Sequence, residues 1–189
     1  MDLLPHLRQA TQKLHQSTEE YSNASKIIDH SISEEEYKAL LKKNYIAYKL
    51  VECAIKNERP HPLLDKLKHN PEISTWIAQD LNGKLPQLES YFIQFDNALE
   101  AIGGTYVITG SLLGGALLGK HLIDCPNIST IEHNFYSTKD RSRIGRWQLF
   151  KKEVSSYSFT SAEQEVITKG ANKSFRLFLD VFKKEKFLM

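Results

Sequence analysis

Residues 103–119 read GGTYVITGSLLGGALLG and hold six of the nine glycines of this 189-residue chain. Glycine inside a helix costs about 1 kcal/mol relative to alanine, so a helix here must have a reason to leave out side chains. Two reasons are open at this point. Either another helix packs closely against the segment, or the helix is kinked near Gly114 and Gly115 and its bare backbone lies against a flat ligand.

The sequence on both sides of this stretch has helical periodicity. Apolar residues spaced three and four apart predict a helix from Leu4 to Tyr21, and Ser33 with Glu36 forms a capping box for a helix that ends before Arg59. Further helices are predicted over 71–81 and from Pro86 to Leu99, where Gly103 and Gly104 interrupt the pattern. Three more are predicted over 105–122, from about Arg141 through Val154, and from Ser161 through Phe182, the last of them capped by Thr160. No segment alternates with period two. The predicted fold is therefore all-α, with a single domain over residues 1–189.

Composition excludes several classes of protein. The 25 basic and 23 acidic residues leave a net charge of +2, which is too small to indicate a nucleic-acid partner. Cys53 and Cys125 are far apart and form no CxxC motif, as expected in a reducing compartment. The N-terminus lacks the pattern of a signal peptide, and the apolar run 106–119 is shorter than the roughly 20 residues of a membrane span. We therefore expect a cytoplasmic protein with no membrane or nucleic-acid partner.

His15 is a candidate metal ligand on the apolar face of the first predicted helix. A neutral imidazole in such a position is either a hydrogen-bonded core residue or a ligand. One inward histidine and one glycine-broken helix would together enclose a planar macrocycle between an axial ligand and an open face. The alternative, in which His15 and the glycines serve packing only, predicts that no such ligand binds.

Two stretches resemble a known family at these residues. LRQATQKLH (residues 7–15), with Glu19 one turn later, resembles the proximal helix of haem oxygenases. YVITGSLLGG (residues 106–115) resembles their distal helix, and is closest to the bacterial branch associated with bilin-binding photoreceptors. The resemblance implies a multi-helix bundle with haem, iron protoporphyrin IX, between a proximal and a kinked distal helix. It also implies that haem, both cofactor and substrate, is cleaved to biliverdin, carbon monoxide and ferrous iron. The reaction uses O2 and electrons from a donor such as ferredoxin or a flavoprotein reductase.

The resemblance also implies roles for individual residues on the two helices. His15 would be the proximal ligand of the haem iron, and Glu19 would accept a hydrogen bond from its other ring nitrogen. The alternative for Glu19 is a solvated helix carboxylate. Gly110, Gly114 and Gly115 would cover the distal face of haem and keep bound dioxygen bent toward one edge of the porphyrin.

Further residues are implied at the propionate edge, where haem needs cations or hydroxyl donors. Arg8 and Lys151 occupy basic positions of the family, and Trp147 replaces a basic residue seen in some members. Arg143 and Arg146 would compensate for that replacement. The alternative role of the basic cluster from Lys139 through Lys152 is that of a solvated face or a docking patch for an acidic electron donor. Phe175 and Phe182 match pocket aromatics, although core residues would have the same spacing.

Ser111 departs from the family pattern. Many haem oxygenases place an aspartate directly after the first distal glycine, where it holds the water network that delivers protons to bound oxygen. A serine hydroxyl anchors water but supplies no carboxylate. This leaves open a non-catalytic haem-binding or haem-delivery protein of the same fold.

Two other helical enzymes remain as alternatives. A di-iron enzyme needs Glu-x-x-His spacing on facing helices, and the nearest candidates, His121 with Asp124 and Glu132 beside His133, lie near a proline-marked loop that favours a surface role. A thiamin-degrading enzyme needs a cysteine nucleophile. For that role the chain offers Cys125, in a predicted loop, and Cys53, an ordinary partly buried residue.

Overall fold

The computed structural model describes residues 2–68, 72–137 and 142–184, with side chains described from residue 145 in the last range. The helices, in chain order, are α1 (Leu3–Tyr21), α2 (Ser25–Ile28), α3 (Glu34–Lys56), α4 (Pro62–Lys66), α5 (Ile73–Asp80), α6 (Ala98–Leu122), α7 (Ser142–Ser155) and α8 (Ser161–Lys183). A short 3-10 turn covers Pro126–Ile128. These ranges contain no strand, and the predicted all-α fold is confirmed.

Two helix starts carry the predicted capping residues. The Ser33 hydroxyl accepts a hydrogen bond from the Glu36 amide, and the Glu36 carboxylate accepts one from the Ser33 amide. Thr160 and Glu163 make the same reciprocal pair at the start of α8. Each pair satisfies amides that the first helical turn leaves unpaired, so the boxes fix where α3 and α8 begin.

The helix predicted from Pro86 to Leu99 is wrong, and so is its interruption by Gly103 and Gly104. Residues 84–97 are not helical, and α6 begins at Ala98, where the Asn97 side chain accepts a hydrogen bond from the Glu100 amide. α6 then runs through both glycines without a break. The apolar spacing before Asn97 instead anchors a loop on the core, because Phe95 is buried with its ring against Gly104.

The close contact between α6 and α8 explains the first glycines of the 103–119 segment. A Cβ on Gly103 would overlap the carbonyl oxygen of Ile167, and a Cβ on Gly170 would overlap that of Glu100. Glu100 is itself buried, and the ammonium groups of Lys169 and Lys173 lie 2.8 and 2.6 Å from its carboxylate. Since α1 also packs on α8, this helix supports both α1 and α6.

α6 is apolar enough and long enough to cross a membrane by length and composition alone. Half of its most apolar 18-residue window is nevertheless buried inside the protein. Its first half is a core helix, in contact with α8 along one side. Burial of the first half in the core accounts for the apolar sequence there.

Candidate functional site

A cleft of about 970 Å³ opens between α1 and α6 and extends to α7 and α8. This volume lies at the upper end of the range for small-molecule and cofactor sites. The residues that line the cleft are Asp2, Leu4, Pro5, Arg8, Gln9, Thr11, Gln12, His15, Gln16 and Glu19 from the α1 side, Tyr106, Val107, Gly110 and Ser111 from α6, Trp147 and Lys151 from α7, and Phe175 from α8.

His15 lies on the cleft wall and not in the core. Its side chain is 53% exposed, and its Nδ1 atom is 3.5 Å from a carboxylate oxygen of Glu19 one turn later on α1. The edge of the imidazole meets the buried ring of Phe175, with 5.6 Å between the ring centroids. The packing-only alternative requires a buried and hydrogen-bonded imidazole, which this position does not provide. With Nδ1 directed to Glu19, Nε2 is the nitrogen left for a ligand in the cleft.

Gly110 and Ser111 form the opposing wall on α6. A Cβ on Gly110 would stand 3.5 Å from the Trp147 ring, so the missing side chain keeps the space between backbone and indole open. The Ser111 hydroxyl lies 2.9 Å from the Ile108 carbonyl oxygen, to which it donates, and 2.5 Å from the hydroxyl of Tyr48. Tyr48 reaches this point from α3, where it is buried.

Gly114 and Gly115 do not line the cleft. Gly114 is exposed, and a Cβ built on it would meet nothing within 4 Å. A Cβ on Gly115 would instead lie 3.6 Å from the ring of Tyr136. Packing therefore gives no reason for the glycine at position 114, and the proposed contacts of both residues with a ligand stay predictions.

The cleft also carries the predicted cations and aromatic rings. Arg8 and Lys151 both line it, and Trp147 stacks on Phe150 with 5.6 Å between centroids and 8° between ring planes. Beside them, burial raises the pKa of Tyr106, against smaller lowering effects of a hydrogen bond with Thr11 and of the Arg8 charge. The cleft therefore has aromatic rings on its α6, α7 and α8 sides and mostly polar side chains on its α1 side, with the Arg8 charge close to Tyr106.

Other predicted contacts lie elsewhere. The Arg146 guanidinium lies 4.4 Å from the centroid of the Trp76 ring and does not line the cleft. Phe182 is a buried core residue packed on Phe178, 6.0 Å away between centroids. The side chain of Arg143 and the whole of Lys139 lie outside the described residues.

Tyr48 is the site residue that sequence reasoning missed. It is separated from Ser111 by 63 residues, and its spacing on α3 is that of an ordinary core position. The only signal was a tyrosine among the apolar residues of a helix face, which commonly indicates a buried hydroxyl in need of a partner.

The alternative enzymes find little support in the part of the chain that the structure describes. No group of three or more His, Cys, Asp or Glu side chains converges there as a metal site. Burial, with smaller contributions from Asp124 and Asp29, raises the pKa of the Cys125 thiol, which makes this residue a poor nucleophile. Cys53 is partly buried, as predicted.

Comparisons with known proteins agree on one family. The family model described as Heme oxygenase matches residues 1–184. Among solved structures, the haem oxygenase of Neisseria meningitidis, solved with NO and CO bound, superposes with a TM-score of 0.76 at 21% identity, covering 97% of this chain and 91% of that chain.

Two further structures are similar in fold. The haem oxygenase of Leptospira interrogans has a TM-score of 0.74 at 16% identity, with 96% of this chain and 98% of that chain covered. Haem oxygenase-1 of the cyanobacterium Synechocystis, solved with haem, has a TM-score of 0.70 at 18% identity, with 96% and 91% covered. A comparison with curated protein sequences finds no significant match. The family model covers nearly the whole sequence, and the chain therefore belongs to the haem oxygenase family.

Proposed function

We propose that this haem oxygenase binds haem in the cleft between α1 and α6, where His15 would hold the iron. The reaction of the family is oxidative cleavage of haem to biliverdin, carbon monoxide and ferrous iron. The observation that carries the proposal for this cleft is the opposition of His15 on α1 to the side-chain-free Gly110 on α6.

The lining residues fit the chemistry of haem. Haem is flat and apolar over most of its surface, and Tyr106, Trp147 and Phe175 supply aromatic walls. Its two carboxylates need cations, and Arg8 and Lys151 lie in the same cleft. Its iron needs a nitrogen ligand, which the exposed His15 imidazole offers. Each chemically distinct part of the molecule therefore has a matching group.

The α1 residues would bind and orient haem. Glu19, whose carboxylate lies 3.5 Å from Nδ1 of His15, would accept a hydrogen bond from this nitrogen and leave Nε2 free to hold the iron. Arg8 would pair with a haem propionate and so hold that end of the molecule. Lys151 serves the same purpose from α7 as a flexible point charge. Bound haem supplies the iron at which O2 is activated.

The α6 residues would control water and protons on the distal side. The missing side chain at Gly110 allows the backbone close to the macrocycle, and Gly114 would extend this bare surface by one turn. Ser111 anchors a water molecule through its hydroxyl, and Tyr48 holds that hydroxyl from behind at 2.5 Å. Two coupled hydroxyls would then do what an aspartate does in other members, which favours turnover over simple haem storage.

The remaining partners follow from the reaction. Cleavage needs O2 and an external electron donor, for which a ferredoxin or a flavoprotein reductase is the expected class. We place the protein in the cytoplasm as a single domain over residues 1–189, because two unpaired cysteines suit a reducing compartment.

A haem titration of His15→Ala tests the ligand assignment. We expect the substituted protein to lose the Soret spectrum of an imidazole-bound haem, and added imidazole to restore it. His6→Ala is the matched control, since His6 lies on the same helix but does not line the cleft. An unchanged spectrum in His15→Ala would refute the assignment.

A further inference from the structure

A second pair of histidines lies away from the cleft, at the far end of α6. His121 is in the last turn of this helix, and His30 lies two residues after the end of the short helix α2. The Nδ1 atom of His121 lies 3.4 Å from the Nε2 atom of His30, with 5.6 Å between the ring centroids. Neither residue lines the cleft. The pair is therefore independent of the proposed haem site.

The distance between the two nitrogens fits a shared metal ion. Two nitrogens that each lie about 2.05 Å from a tetrahedral zinc ion stand about 3.3 Å apart. Ligands at right angles around square-planar Cu²⁺ or Ni²⁺ would stand only about 2.9 Å apart. In the structure the two rings make a long hydrogen bond at 3.4 Å, beyond the usual upper end of about 3.2 Å, and a shared metal ion would replace it.

The surroundings of the pair favour a cation. Both imidazoles are half-buried, so water can reach them to complete a coordination shell. Asp29, next to His30, and Asp124, three residues after His121, lie close enough to Cys125 for their charges to raise its pKa, and so supply negative charge at this end of α6. Cys125 itself is fully buried and lies 3.4 Å from the His121 carbonyl oxygen, which holds the end of α6 in place.

The backbone at His30 is the ordinary end of α2. Its φ angle of +58° is the left-handed conformation that closes a helix, where the Ser31 amide donates to the Lys26 carbonyl and the His30 amide donates to the Ile27 carbonyl. This turn fixes the position from which the His30 ring meets His121.

We propose that His30 and His121 form a zinc site that joins the end of α2 to the end of α6. The two imidazoles supply two of four tetrahedral ligands. Among the residues described, no third His, Cys, Asp or Glu completes a cluster with them, so water occupies the other positions. Zinc in such an open site exchanges with zinc in solution. Bound zinc stabilises the C-terminal end of α6, opposite the N-terminal half that packs on α8.

Titration of the full-length, haem-free protein with ZnCl₂ by calorimetry tests the site. We expect saturable binding and a rise in melting temperature, both lost in His30→Asn and in His121→Asn. Asparagine is chosen because it tolerates the left-handed backbone of residue 30. His6→Asn is the matched control: it removes another histidine with a carboxylate nearby, that of Glu165, and should leave this zinc binding intact.

Titration with CoCl₂ then tests the geometry without any substitution. Tetrahedral Co²⁺ absorbs strongly in the visible range and six-coordinate Co²⁺ absorbs weakly, so we expect the strong band. A weak band, no saturable zinc binding by the unsubstituted protein, or binding that survives His121→Asn in a folded protein would each overturn the proposal.

Discussion

The two halves of α6 contain glycine for different reasons. In the first half, a Cβ on Gly103 would overlap the backbone of α8, and a Cβ on Gly104 would lie 2.5 Å from the ring of Phe95. In the second half, a Cβ on Gly114 would meet nothing within 4 Å, and one on Gly110 would meet only the Trp147 ring at 3.5 Å. Packing within the protein explains the first pair and gives no reason for the second pair, for which contact with a ligand is the proposed reason.

The largest effect is expected at the packed end. Gly103→Ala should destabilise the protein by about 3 kcal/mol, because the new methyl group overlaps the Ile167 carbonyl and both helices must move apart. Thermal or urea unfolding measures this loss. A change within about 0.5 kcal/mol, the usual range for surface substitutions, would contradict the account of the α6 and α8 contact.

Gly114→Ala is the matched substitution at the open end. Here alanine should stabilise the protein by about 0.5–1 kcal/mol, since it has the higher helix propensity and meets no neighbour. If Gly114 approaches haem as proposed, haem cleavage should nevertheless slow down. Equal turnover by Gly114→Ala and the unsubstituted protein would remove Gly114 from the distal surface.

The next effect concerns the hydroxyl pair formed by Ser111, in the second half of α6, and Tyr48, on α3. Tyr48→Phe removes the partner of Ser111 and should lower the rate of haem cleavage by about 10- to 100-fold, the range seen when a supporting hydrogen bond is removed. The affinity for haem should stay the same. Tyr45→Phe, also buried on α3, is the control. A rate equal in both variants would show that Tyr48 only fills space.

The smallest effect is a pH dependence at the packed end. Lys169, and then Lys173, lower the pKa of Asp96 to about 2 from its ordinary value of 3.8. A lowered pKa stabilises the folded state above about pH 4, and this stabilisation disappears as the pH falls toward 2. Asp96→Asn should therefore have a lower melting temperature at pH 6 and a smaller difference at pH 2. Glu89→Gln, at an exposed position in the same non-helical segment, is the control variant.

Much of the fold was predictable because it follows from local sequence. The boundaries of α1 and the capping boxes of α3 and α8 depend on residues within one or two turns of each other. The segment before α6 was not predictable in the same way. Its apolar spacing is helical, but Phe95 is held by Gly104 and by the tertiary contact of α6 with α8, which no local pattern contains.

In the candidate site, too, the residues in local motifs were predictable and those that depend on tertiary contacts were not. His15, Glu19, Gly110 and Ser111 belong to two contiguous motifs, and the structure brings them to one cleft. Tyr48 and the His30–His121 pair depend on contacts between residues 63 and 91 positions apart. Short helices such as α2 and α4 were also missed, because four or five residues hold too little periodicity.

The most direct test of the central claim is an absorption time course of the purified protein with haem and a reductant. The account predicts that the Soret band of the His15-bound complex decays while biliverdin absorbance appears and carbon monoxide is released. A Soret band that persists, with no biliverdin and no carbon monoxide, would contradict it and would identify a protein that binds haem in this cleft without cleaving it.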